Sequence, residues 1–183
     1  MKRTAISRKA PSLPMRHLSG TGLLVGRMLD YGSGRGYDAD HFKMAKFDPY
    51  SAPERPKGKF DTITCNYVLN VVDIPTQRKI LDDIKSMLVE GGIAYVSVRR
   101  DLKKLVTTRA GYSQRLVTIN VKGWTLFHEV KGRYAMYKLT KNELKGLLES
   151  FNPDYEFTTE GKQYRKQHEI KQRIDELKNR GVK

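Results

Sequence analysis

Met28-Leu29-Asp30-Tyr31-Gly32-Ser33-Gly34-Arg35-Gly36 is the stretch around which this chain is organised. A short apolar run meets an acidic residue, and glycines then follow at three alternate positions. Arg27 to Asp30 reads as a buried strand, and the glycines read as a tight turn into a helix. Glycine lets the backbone come close to a ligand, and a helix start offers unpaired N–H groups to an anion. A dinucleotide fingerprint would need its third glycine at position 37, where Tyr37 stands. The spacing therefore speaks against a dinucleotide.

On the C-terminal side, Gly36 to Met44 has room only for a short helix, and Ala45 to Asp48 reads as a second short strand. Asp48 is placed to accept hydrogen bonds from ribose hydroxyls, by analogy with the acidic residue of nucleotide-binding βαβ units. Pro49 to Lys59 carries Pro49, Pro53 and Pro56 and is too short for a crossover with its own helix. Phe60 to Cys65 alternates like a strand and runs into Asn66-Tyr67-Val68-Leu69-Asn70-Val71-Val72. Pro75 opens a helix to about Val89, with Ile80, Leu81, Ile84 and Leu88 on one face. Gly91 and Gly92 are expected to cap it, and Ile93 to Val98 to form a buried strand. Strands alternating with helices predict an α/β fold with a mostly parallel sheet. Arg99 and Arg100 fall just past a strand's carboxyl end, the edge where open α/β sheets bind ligands.

The pattern D-x-G-x-G-x-G from Asp30 to Gly36 resembles motif I of class I S-adenosylmethionine (SAM) methyltransferases. With Asp48, Phe60–Val72 and Gly91–Val98, the resemblance covers about residues 27–160. It implies a compact Rossmann-like fold with SAM as cofactor. Asp30, Tyr31, Gly32, Ser33, Gly34, Gly36, Asp48 and Asn66 are the residues implied to hold it. The usual fold has a helix and a third strand between its second and fourth strands. The proline-bearing link predicts that this third strand is missing, together with the loop that usually holds adenine. Thr4-Ala5-Ile6-Ser7-Arg8, Asp30–Gly36, Asp48-Pro49, Tyr67–Val71 and Gly132 to Leu144 are most similar to the methyltransferases associated with DNA phosphorothioation. That group implies no substrate.

Around this core, residues 1–26 form a basic arm with a short helix after Pro14. The arm is expected either to fold over the cofactor or to touch phosphates, with Arg8 and Lys9 as candidates. Residues 101–139 read as an insertion. Asp101–Thr108 is expected to be helical, and Leu116–Val121, Thr125–Val130 and Tyr134–Leu139 to be antiparallel strands. There Trp124 and other aromatics interleave with basic residues, a pattern that stacks bases and holds phosphates, though half of such aromatics belong to a core. Thr140-Lys141-Asn142-Glu143 is a capping box, with Leu139 and Leu144 as its staple. Tyr155–Thr159 is an expected edge strand, and 161–183 a basic C-terminal helix or tail with Ile170, Ile174 and Leu177 as a thin apolar stripe.

The net charge of +15 favours polyanionic partners, nucleic acid ahead of anionic membrane. No run approaches the roughly 20 apolar residues of a membrane span. The single Cys65 excludes an internal disulfide, and the four histidines lack metal spacing, so no metal site is indicated. These features and the lack of an apolar signal core point to a cytoplasmic protein. Methyl transfer from a sulfonium asks chiefly for alignment and deprotonation of the acceptor. Asn66 and Tyr67 are the candidate catalytic residues, on position alone. Motif IV has neither the prolines of exocyclic-amine enzymes nor the acid of ribose 2′-O enzymes, and Cys65 reads as a small core residue rather than a nucleophile. The leading expectation is methylation of nucleic acid, with Arg8, Lys9, Arg99, Arg100 and Trp124 binding it. A small-molecule or protein acceptor, or a degenerate fold kept as a nucleic-acid-binding module, are the alternatives.

Overall fold

Leu29, Asp30 and Tyr31 are all buried, and burial on both faces makes this run an inner strand of a parallel sheet. The computed structural model describes residues 5–102, 105–107, 113–142, 148 and 162–180. In it β1 (Met28–Tyr31) pairs in parallel with β2 (Ala45–Phe47) and β3 (Phe60–Asn66). β3 in turn pairs in parallel with β4 (Leu88–Arg99). Beyond β4 lie β8 (Tyr134–Thr140) and then β7 (Thr125–Val130), both antiparallel to their neighbours. The six-stranded order is β2-β1-β3-β4-β8-β7. The link from Asp48 to Lys59 contributes no sheet strand, only a tight turn in which Asp48 and Ala52 exchange backbone hydrogen bonds. The fold is therefore the expected α/β one without the third strand.

The sheet's two faces carry different cores. Leu29, Ile63, Val96 and Tyr137 pack with Leu81 and Ile84 of α3 (Ile74–Met87). Tyr95, Tyr134 and Met136, their alternating neighbours, pack with Met15 and Leu18 of α1 (Leu13–Gly20) and Ala39 of α2 (Tyr37–His41). Asp73 caps α3 by accepting from the Thr76 N–H at 2.8 Å, with proline in the first turn.

Three expectations change. Gly91 and Gly92 do not cap α3, because the helix ends at Met87 and the chain enters β4 at once. The glycines lie in a bulge of β4, where pairing jumps from Phe60–Leu88 to Thr62–Ile93 and Gly91 adopts φ +79°. The segment after Asp101 is not helical where described. Leu105–Thr107 (β5) pairs antiparallel with Ser113–Arg115 (β6) in a separate two-stranded sheet, and 116–121 is irregular rather than a strand. The expected antiparallel strands β7 and β8 do form. They complete the main sheet, because the buried Ala135, Met136 and Tyr137 give β8 two apolar faces to place beside β4.

The chain divides into two units, Met1–Lys141 and Asn142–Lys183. In the second, α4 (Lys162–Asn179) buries Ile174 and Leu177, and Arg173 pairs with Glu176 at 2.9 Å. The helix after the capping box, its staple partner Leu144 and the strand over 155–159 lie outside the described residues. Among the described residues no helix is long and apolar enough to cross a membrane, and no group of three metal-ligating side chains assembles.

Candidate functional site

The parallel register brings the carboxyl ends of β1, β3 and β4 to one edge. Asp30 lies beside Thr64, Asn66 beside Ser97, and Arg99 beside Tyr134 at the start of the antiparallel β8. A cavity of about 850 Å³ opens at this edge. It has the size of a small-molecule or cofactor site. Asp30, Tyr31, Gly32, Ser33, Gly34, Asp48, Asn66, Tyr67, Arg8 and Arg99 all line it, so most of the residues singled out in the sequence meet in one place.

The glycine turn works by shape. Gly32, Gly34 and Gly36 hold φ of +75°, +56° and +82°. A Cβ on Gly32 would fall 2.3 Å from Val68 Cγ2. Three of its N–H groups are already engaged: Gly32 and Ser33 donate to the Phe47 carbonyl at 2.7 and 3.1 Å, and Gly34 to Asp48 Oδ2 at 3.1 Å. The helix that follows has five residues, and its N-cap Gly36 supplies no side-chain cap. Gly36 is buried off the cavity, against Lys46 and Asp40.

Asp48 fastens this turn. Its Oδ1 accepts from the Tyr50 and Ser51 N–H groups at 3.0 and 2.9 Å while Oδ2 accepts from Gly34. A carboxylate has about four lone-pair sites, so one remains for a ligand hydroxyl. Asp30 is 4 % exposed and accepts from Thr64 Oγ1 at 3.2 Å. Burial, then the neighbouring Asp38 carboxylate, pushes its pKa up to about 7, against the opposing pull of Thr64 and Arg8.

Asn66 and Ser33 show the cavity's appetite for a polar ligand. Both amide atoms of Asn66 and the Ser33 hydroxyl are buried without a hydrogen-bond partner. An unmet buried polar group is costly, and a bound polar molecule would remove that cost. Next along the chain, Tyr67 adopts φ +65°, unusual for a bulky residue, while its N–H donates to the Ser97 carbonyl at 2.8 Å. The Arg8 guanidinium lies over its ring, 5.8 Å from the centroid. Burial raises the Tyr67 phenol to about 12, so it stays neutral at ordinary pH.

The N-terminal arm covers this edge. Ala5, Ile6 and Arg8 line the cavity, Tyr37 Oη donates to the Lys9 carbonyl at 3.1 Å, and the Ser12 N–H donates to Asp38 Oδ1 at 2.9 Å. Lys9 itself is exposed and off the cavity.

Three candidate polyanion contacts have other occupations. Trp124 is 8 % exposed within the main core and has no free face for a base. Arg99 spends its fork on Asp101, at 2.9 and 2.6 Å, and on Gln114 at 2.8 Å. Arg100 is held by Glu129, the Val117 carbonyl and the Tyr137 hydroxyl. Cys65 is fully buried off the cavity, and burial drives its thiol pKa up, which suits a core residue. His17 and His128 stack on each other, centroids 3.8 Å apart, also off the cavity.

Sequence reasoning overlooked Asn70 and placed Arg133 only among the basic residues interleaved with aromatics. Fully buried Asn70 accepts from the Arg99 N–H and donates to the Arg115 carbonyl, both at 2.8 Å, and so fixes the end of β4. Its signal was a lone amide inside the apolar run Val68–Val72. Arg133 reaches the cavity only because β8 returns beside β4, which no local pattern announces.

Two solved structures share this architecture. One is the 1,6-didemethyltoxoflavin-N1-methyltransferase of Burkholderia thailandensis, with bound 1,6-didemethyltoxoflavin and S-adenosylhomocysteine. It is 18 % identical, with a TM-score of 0.54 over 71 % of this chain and 77 % of that one. The other comes from work on the conversion of a disulfide bond into a thioacetal group during echinomycin biosynthesis. It is 15 % identical, with a TM-score of 0.53 over 77 % and 88 % of the two chains. At such identities the likeness is one of fold. No curated protein matches the sequence. Residues 4–154 match the family model described as a methyltransferase domain. The chain belongs to the methyltransferase domain family.

Proposed function

We propose that this protein is a SAM-dependent methyltransferase whose acceptor enters the cavity beneath the N-terminal arm. The observation that carries the reading is the pairing of a glycine cradle, whose Gly32, Ser33 and Gly34 N–H groups are already engaged, with the orphaned Asn66 amide and Ser33 hydroxyl in one cavity. Such a site suits a cofactor with a polar amino-acid end and no phosphate. Bound SAM supplies an activated methyl group. Asp30 would hold its ammonium, Asp48 its ribose hydroxyls and Asn66 its remaining polar edge. Tyr67 then orients the acceptor as a neutral phenol. Few acid–base groups are needed for this transfer, which matches a cavity without a histidine.

For the acceptor, nucleic acid is the reading favoured by the net charge of +15. It must proceed without Trp124, Arg99 and Arg100, whose side chains are engaged elsewhere, and rest on Arg8 and the free basic surface. A small-molecule acceptor is the second reading, favoured by the arm that narrows access to the cavity. The resemblance to methyltransferases associated with DNA phosphorothioation belongs to this proposal and names no acceptor. Incubation with methyl-tritiated SAM and separate pools of DNA, RNA and metabolites tests it. Label in a nucleic-acid pool supports the first reading and label in metabolites the second. Absence of transfer by protein that binds SAM would leave the degenerate binding module.

A further inference from the structure

We propose that the acceptor carries an anionic group, phosphate or carboxylate, held by Arg8 and Arg133 in the cavity that Tyr67 also lines. This rests on the methyltransferase reading and specifies its substrate chemistry. Four arginines around the sheet have a fixed acceptor. Arg27 donates to the Lys57 and Lys59 carbonyls, Arg55 to Asp83, Arg99 to Asp101 and Gln114, and Arg100 to Glu129. Arg8 and Arg133 line the cavity and donate to no side chain or carbonyl among the described residues, as is also true of Arg35 of the glycine turn. Arg8 comes from the arm and lies over the Tyr67 ring. Arg133 comes from the β7–β8 turn, and its carbonyl accepts from the Arg100 N–H at 3.0 Å. That bond sets it beside the end of β4. Arg8, Tyr67 and Arg133 thus come from three separate elements to the wall of one cavity.

The local carboxylates do not satisfy these arginines. Asp101 is already paired with Arg99, and Asp48 is engaged by three backbone N–H groups. Asp30 feels Arg8 without forming an ion pair with it, and its raised pKa leaves it partly neutral near pH 7. A planar guanidinium suits phosphate and carboxylate oxygens, and two of them in one cavity with a neutral phenol make a fork for an acidic acceptor. The phosphate has two possible sources, a free nucleotide-like metabolite or a nucleic-acid chain.

Titration calorimetry on the full chain, with and without S-adenosylhomocysteine, tests the proposal. The probes are a nucleoside monophosphate, its uncharged nucleoside, and a short single-stranded oligonucleotide. The monophosphate is expected to bind and the nucleoside to bind far more weakly. R8Q and R133Q should each weaken the monophosphate by about tenfold, the loss of one charge-assisted hydrogen bond. K85Q, the same charge change on an exposed turn of α3 off the cavity, should leave it unchanged. Oligonucleotide binding that exceeds monophosphate binding and shares this pattern identifies the polymer as source, and the reverse identifies the metabolite. Equal loss in K85Q, or equal binding of nucleoside and monophosphate, would overturn the anion fork. Failure of S-adenosylhomocysteine alone to bind would instead refute the cofactor reading and leave the anion result to stand by itself.

Discussion

Asn66 ends β3 with both polar atoms of its amide buried and unmatched. Were it only structural, removing the amide would relieve a cost. Asn66→Leu should therefore leave the melting temperature unchanged or raised, while S-adenosylhomocysteine affinity drops by about tenfold, the value of one good hydrogen bond to a charged or polar ligand. Calorimetry beside a thermal melt checks both halves. Asp30 makes a second prediction, through pH. Its pKa is raised from the ordinary 3.8 to about 7 in the folded chain. Across that window the folded state keeps a proton that the unfolded state has released, so stability falls as pH rises. Asp30→Asn should flatten this part of the stability–pH curve, measured by denaturant titration of the ligand-free protein. Asp30 and Asn66 were legible in the sequence because glycine spacing and strand order mark them. Trp124 was not. An aromatic among basic residues looks the same whether a strand turns it toward solvent or toward the core, and the facing is set by the distant partners Leu29 to Leu139 of the main core.

At the level of elements, the arm and the last two strands have opposite relations to the site. The arm adds Ala5, Ile6 and Arg8 to the cavity wall, yet the buried cores begin only at Met15. Removing residues 1–8 should weaken S-adenosylhomocysteine binding and barely change the thermal midpoint, which a melt with and without ligand will show. β7 and β8 are structural first. Trp124→Ala beside β7 should cost about 3–5 kcal/mol of stability, as truncation of a buried indole does, with the ligand preference of any surviving fold unchanged. Denaturant unfolding reads the cost. Local pattern captured β1, β2, β3, α3, β7 and β8 to within a few residues, since each has a clear apolar period or a capping signal. It misread Gly91-Gly92, because a helix end and a strand bulge use glycine for the same left-handed backbone. It also found β7 and β8 as antiparallel strands without naming the neighbour they pair with. Hairpins are local, but the choice of β4 as neighbour depends on Ala94 to Val98 lying open beside β3 until β8 arrives.

Over the whole first unit, the missing third strand leaves β2 as the sheet's outer strand and Asp48 at its end, fastening the glycine turn. All of this converges on one claim, that the turn Asp30–Gly36 cradles the amino-acid end of SAM. Gly34 sits at its centre with φ +56°, and a Cβ there would lie 3.1 Å from Ala5 of the arm. Titration of S-adenosylhomocysteine into the intact protein and into Gly34→Val is the most direct measurement. One molecule should bind per chain of the wild type, and the valine variant, shown folded by its circular dichroism, should release no heat of binding. Absent binding by the wild type, or equal affinity in the folded variant, would contradict the assignment of this turn to the cofactor.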